Sequence, residues 1–204
     1  NEIRQYTIDN YGGYDAGYIN LVTFDETHEE WTVKLDAVIS DDHRATLNLS
    51  HSEDLTPQRY NYGETVFSNN WYYKPPEIDR ASFTLYSDWS DRLSTKFKYT
   101  SYEMEEDDAS YGDDFFPEMN IRIGGDNVFL GGDRYRGANL INVESEFLTL
   151  KADYDNDDHL YTVGYESDNS DVVNLFIARY NGEVRFNSFE DYKNGVWSRL
   201  RIHE

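Results

Sequence analysis

The sequence predicts an all-β protein, an antiparallel meander of about eight long strands. Three observations carry that expectation. Apolar and polar residues take turns along many segments, which places one set on each face of a sheet. Helical periodicity is hard to find. Short turns rich in Asp, Asn and Ser join some of these segments, and long polar stretches join others.

The first clear strand has Trp31, Val33, Leu35, Ala37 and Ile39 on one face and Thr32, Lys34 and Asp36 on the other. In the second, Ala45, Leu47 and Leu49 alternate with Thr46, Asn48 and Ser50. Next come Ala81, Phe83 and Leu85 against Ser82, Thr84 and Tyr86, then Leu93, Phe97 and Tyr99 against Ser94, Lys96 and Lys98. Leu148, Leu150, Ala152 and Tyr154 oppose Thr149, Lys151 and Asp153, and near the end Val196, Leu200 and Ile202 oppose Trp197, Arg199 and Arg201. Weaker candidates are residues 17–24 and 160–167, which bring the number to about eight. The expected short turns are Asp41-Asp42-His43, Asp88-Trp89-Ser90-Asp91 and Asp155-Asn156-Asp157-Asp158. Long connections fall at residues 52–78, 103–139 and 168–195. Small hairpins are expected in the last two, with Asn181-Gly182 as a two-residue turn between residues 174–177 and 184–186. No linker or solenoid repeat divides the chain, so residues 1–204 read as a single unit.

Composition narrows the function classes. Aromatic residues make up 16% of the chain, too many for a disordered acidic polymer. The formal charge of -22 repels a phosphate backbone, which argues against nucleic acid as a partner. No apolar run is long enough for a transmembrane helix, but that leaves open a barrel whose strands present apolar residues to lipid. With no Cys, disulfides, thiolate zinc sites and thiol nucleophiles drop out. A chain that starts at Asn1 without an initiator Met or leader reads as a processed or excised piece.

Alternation alone does not separate a membrane barrel from a soluble sheet, since a β-sandwich also buries one face and wets the other. Strands of about ten residues favour the barrel, because 9–11 tilted residues cross a bilayer whereas sandwich strands are about five or six. Aromatic residues gather near strand ends at Trp31, Tyr72, Tyr73, Tyr99, Tyr102, Tyr154 and Trp197, as in an interfacial girdle. Tight turns on one edge and roomy connections on the other are also the pattern of outer-membrane barrels.

Several segments, in order, are more specific. They are Asp41-Asp42-His43-Arg44-Ala45; Ser68-Asn69-Asn70-Trp71-Tyr72 leading to Lys74-Pro75; and Leu85-Tyr86-Ser87-Asp88-Trp89-Ser90-Asp91. Gly132-Asp133-Arg134-Tyr135-Arg136-Gly137-Ala138-Asn139 follows, then Leu150-Lys151-Ala152-Asp153-Tyr154, the stretch from His159 to Tyr165, Asn174-Leu175-Phe176 and the stretch from Gly182 to Ser188. From about Glu30 onward the chain resembles the Oar-like branch of TonB-dependent outer-membrane receptors. That resemblance implies a barrel of about 22 strands filled by a plug. It also implies an inner-membrane energy-coupling complex that drives uptake through that plug. Neither plug nor coupling box is recognisable here, so the chain would be an internal portion of the wall in the cell outer membrane. Outer-membrane lipid is one expected partner. A small-molecule or oligomeric ligand, met by long acidic, Tyr-rich loops, is another. An isolated wall has bare edges and an apolar face, and is expected to curl into a smaller closed sheet or to pair with a second copy.

The reading is therefore a receptor or transporter segment and not an enzyme. The rival is a secreted carbohydrate-binding β-sandwich, and hydrolysis finds no supporting constellation. Among forty acidic residues any pair can be nominated as glycosidase carboxylates, which makes that signal uninformative. No G-x-S-x-G elbow or phosphate loop occurs; Gly124, Gly125, Gly131 and Gly132 read as turns. His28, His43, His51, His159 and His203 lack the close spacing of a metal pair. The densest oxygen cluster is Glu103, Glu105, Glu106, Asp107, Asp108, Asp113 and Asp114, of which Asp107, Asp108, Asp113 and Asp114 are candidate Ca²⁺ ligands. A solvated acidic loop is the favoured alternative, because the spacing departs from an EF-hand, and no other cofactor is expected. Asp155, Asp157 and Asp158 form a second, weaker candidate turn. Lys96, Lys98, Lys151, Arg199 and Arg201 should point into the barrel lumen, paired with acids of the wall or meeting an anionic ligand.

Overall fold

The computed structural model describes residues 2–19, 23–59, 61, 64–112 and 115–203. Six long strands form the wall: β1 (Thr27–Val38), β2 (His43–Gln58), β5 (Glu77–Ser90), β6 (Leu93–Asp107), β10 (Asn139–Asp155) and β11 (Leu160–Phe176). They pair antiparallel in the order β1-β2-β5-β6-β10-β11. Two short strands, β4 (Tyr72–Lys74) and β7 (Ala109–Ser110), extend β2 near its far end and complete an eight-stranded sheet. The all-β antiparallel meander is thus the observed fold.

The wall strands run from 12 to 17 residues, longer than alternation alone suggests. Their tight turns are local hydrogen-bonding devices. The β1–β2 turn closes through the Ile39 N–H donating to the His43 carbonyl at 2.8 Å. Between β5 and β6 the turn sits at Asp91-Arg92, further on than expected, because β5 continues to Ser90 past an irregularity between Asp88 and Ser90. There Ser90 Oγ accepts from the Arg92 and Leu93 N–H groups. The β10–β11 turn places Asp157 at φ +74°, a left-handed conformation that Asp tolerates, and Asn156 Oδ1 accepts from the His159 N–H at 2.8 Å.

At the opposite end the long connections assemble a cap. Its sheet has the order β13-β12-β8-β9-β3, from β13 (Arg199–Arg201), β12 (Glu183–Phe186), β8 (Glu118–Ile123), β9 (Asp126–Leu130) and β3 (Thr65–Val66). Helices α1 (Glu2–Asn10) and α2 (Phe189–Lys193) cover it, the latter capped by Ser188 Oγ accepting from the Asp191 N–H. The hydrophobic core lies here, not in the wall: Tyr14, Ala16, Phe67, Met119, Ile121, Val128, Leu130, Phe186 and Tyr192 form one cluster. Tyr11 stacks on Tyr192, whose hydroxyl is 2.8 Å from Thr7 Oγ1.

Several expectations are corrected. The strand expected at residues 196–202 shrinks to β13, which pairs with β12 in the cap, so Arg199 and Arg201 do not belong to the wall. Of the strand expected at 17–24, residues 20–22 lie outside the described ones and the rest are not extended in any sheet. The Asn181-Gly182 turn exists, but no hairpin forms around it: β11 runs on through Phe176, while β12 pairs in parallel with β8. The wall does not curl shut either, because among the described residues β1 and β11 each pair on one side only.

Candidate membrane-facing surface and loop cap

The register lets each face of the wall be read row by row. One row runs Leu35, Leu47, Phe83, Tyr99, Leu148 across β1, β2, β5, β6 and β10. The next, nearer the tight turns, runs Ala37, Ala45, Leu85, Phe97, Leu150, Tyr165. Ala152 and Val163 continue the band, and Tyr154 pairs with Tyr161 at its lower border. From Leu148 to Tyr154 is six residue steps, about 20 Å along the strand at 3.4 Å each. Nothing covers this band among the described residues: Leu35 is 57%, Leu150 42%, Tyr165 57% and Val163 72% exposed. Monomeric soluble proteins rarely leave so continuous an apolar patch bare.

Toward the cap the same face turns acidic through one mixed row, Val33, Leu49, Ala81, Ser101, Glu146 and Asn169. The two rows beyond it read Trp31, His51, Asp79, Glu103, Glu144, Asp171 and Glu29, Glu53, Glu77, Glu105, Asn142, Val173. Neither contains Lys or Arg.

Directly behind the apolar band the opposite face is polar, while nearer the cap it carries an apolar row of its own, Ile78, Met104, Val143 and Val172. Lys34 Nζ lies 2.9 Å from Asp36, and Lys151 Nζ 2.9 Å from Asp153. Thr46 and Thr162 hydroxyls donate to the same two carboxylates, and these contacts hold both Asp pKa values below the ordinary range, the threonine bonds first and the lysines second. Arg44 and Lys96 flank the Tyr86 ring, and Arg80 lies over Tyr102. Lys96, Lys98 and Lys151 therefore stand on the face opposite the apolar band, as their alternation indicates.

The cap holds a buried polar cluster that sequence reasoning missed. Arg134 reaches Glu118 at 3.3 Å and Glu183 at 3.5 Å, and its Nη2 donates to Asn61 Oδ1 at 3.0 Å. Asn61 and Asn70 amides donate to Glu118 Oε2. Burial pushes the Glu118 pKa up to about 7, against the pull of Arg134. Burial likewise raises Asp133, which accepts from the Tyr135 N–H. Glu183 also suffers desolvation, yet Arg179, Arg134 and Arg201 outweigh it and hold its pKa down. The motif Gly132-Asp133-Arg134-Tyr135-Arg136-Gly137 supplies the cluster's central cation, Arg134, together with Asp133. It lies on the connection between β9 and β10, and only its identity as a conspicuous motif could have flagged it.

Of the four candidate calcium residues, the two described ones, Asp107 and Asp108, do not share a site. Asp107 ends β6 and is exposed, while Asp108 is buried and turned to Arg136 Nη1 at 3.0 Å and to the Asn139 amide. Asp113 and Asp114 lie outside the described residues. In the second candidate turn, Asp155 Oδ1 accepts from the Asp157 N–H and Asp157 pairs with Arg92, so both carboxylates serve the turn. Arg201 sits 3.7 Å from Glu183. It also borders an open groove of about 890 Å³ at the cap margin, lined by Phe176, Arg179, Trp197, Leu200 and Ile202.

No family model, curated protein or solved structure matches this chain.

Proposed function

We propose that the chain is a wall segment of an outer-membrane receptor of the TonB-dependent kind, whose loop cap contacts an imported ligand. The observation that carries this reading is the bare apolar band on one face of an open meander, backed on the other face by charged residues that include the Lys34–Asp36 and Lys151–Asp153 pairs. A lipid-facing band about 25 Å tall backed by a polar lumen is the arrangement of outer-membrane barrels. Tight turns at one end and a folded cap at the other agree with it, and so does the resemblance of the loop segments to the Oar-like branch. The groove beside Trp197 and Arg179 combines aromatic surface with cations, and suits a ligand carrying both apolar and anionic groups.

Co-flotation with phospholipid vesicles tests the reading. The refolded chain should float with lipid, and Leu150→Asp and Val163→Asp should each reduce the floated fraction severalfold, while Lys98→Asp on the other face leaves it unchanged. A chain that stays in the aqueous layer, or that responds equally to substitutions on both faces, would remove the membrane assignment.

A further inference from the structure

We propose that His51, Glu77 and Asp79 form a site for a divalent first-row metal ion of the zinc type on the outward face of the wall, just beyond the apolar band. The three residues come from two strands. His51 of β2 stands directly across from Asp79 of β5, and Glu77 lies two residues along β5 on the same face. One ligand atom from each falls within 4.8 Å of the others. His51 Nδ1 is 3.0 Å from Asp79 Oδ1, close to the separation of about 3.0–3.4 Å between neighbouring ligands on an ion held by bonds of about 2.1 Å. Trp31 stacks on the His51 ring, with centroids 5.8 Å apart, and so fixes its plane.

Chemistry selects the ion. An imidazole beside two carboxylates suits zinc and its first-row neighbours, whereas Mg²⁺ and Ca²⁺ prefer all-oxygen sets. Charge supplies a reason for the site to be filled. Asp79 faces Glu103 in register, and Glu77 sits between Glu53 and Glu105. Like charges directly opposite one another destabilise a sheet, and a divalent cation at the centre of this group would relieve three such repulsions at once. The remaining coordination positions point away from the sheet and would be taken by water.

His28 provides an internal contrast. Its Nδ1 is 2.5 Å from Asp54 and its Nε2 is 3.6 Å from Glu30, so the two carboxylates address different ring nitrogens and cannot converge on one ion. This inference does not rest on the membrane reading, because it uses only the register of β2 and β5.

Calorimetric titration of the folded chain with zinc chloride tests it, together with the visible absorption of the cobalt(II) form. One equivalent of zinc should bind, and cobalt should give ligand-field bands. His51→Ala should weaken zinc binding at least tenfold and shift those bands, and Asp79→Asn should weaken binding severalfold. His28→Ala should change neither, and all variants should keep the wild-type far-UV circular dichroism. Equal losses in His28→Ala and His51→Ala, unchanged affinity in His51→Ala, displacement of zinc by equimolar calcium, or no stoichiometric binding at all would each overturn the assignment.

Discussion

Glu118 carries the clearest pH signature at the scale of single residues. Its folded pKa of about 7 lies above the 4.5 of a free glutamate, so the folded chain holds a proton that the unfolded chain has released. Stability from this group is complete below about pH 4.5 and is lost as pH rises through about 7, a span on the order of 3 kcal/mol at 1.36 kcal/mol per unit. Glu118→Gln should flatten that part of the profile, so urea midpoints of wild type measured from pH 5 to 8 should fall relative to the variant. Asp36, Asp153 and Glu183 act in the opposite sense: with depressed pKa values, their contribution is present above about pH 4.5 and disappears as pH falls through their folded values. Gly131 is the steric counterpart. It sits at φ +85°, and a Cβ there would lie 2.0 Å from the Pro117 carbonyl oxygen. Since that oxygen is backbone, Gly131→Ala should cost several kcal/mol and lower the thermal midpoint sharply, whereas Gly124→Ala, with nothing nearby, carries only the cost of its positive φ.

Among the elements, β2, β5, β6 and β10 have neighbours on both sides and β1 and β11 on one. Hydrogen exchange of the isolated chain should therefore show outward-pointing amides of β1 and β11 exchanging orders of magnitude faster than those of β6, and protection of both edges would indicate a partner strand. The wall hairpins were legible in the sequence because one face is apolar and the other polar, which writes a period of two into Leu47-Asn48-Leu49 or Leu148-Thr149-Leu150. The cap was not, and β8 explains why: Glu118, Met119, Asn120 and Ile121 are all buried, so both faces are covered and alternation vanishes. Within the same sheet β3 and β12 have two and four residues, too few for any period to register. The polar cluster around Arg134 escaped for a related reason. Buried Glu118 and Glu183 look like any of the forty acidic residues until Arg134, from another connection, is placed beside both. His51 and Asp79 are likewise 28 residues apart, far outside the spacing of a local metal motif.

At the scale of the whole molecule, a formal charge of -22 works against compactness. Raising monovalent salt from about 10 to 200 mM shortens the screening length from about 30 Å to under 10 Å. Thermal midpoints should accordingly rise across that range, and a midpoint that falls with salt would mean that the ion pairs of the polar face outweigh the repulsion. The separation between wall and cap has a consequence for the order of assembly. Each hairpin of the wall joins neighbours in sequence, so loop closure is short and pairing can begin as soon as two strands exist. The compact end draws instead on α1, the three connections and Tyr192, whose hydroxyl meets Thr7 across 185 residues. That end can condense only after the last connection is available, like a drawstring pulled once the fabric is woven.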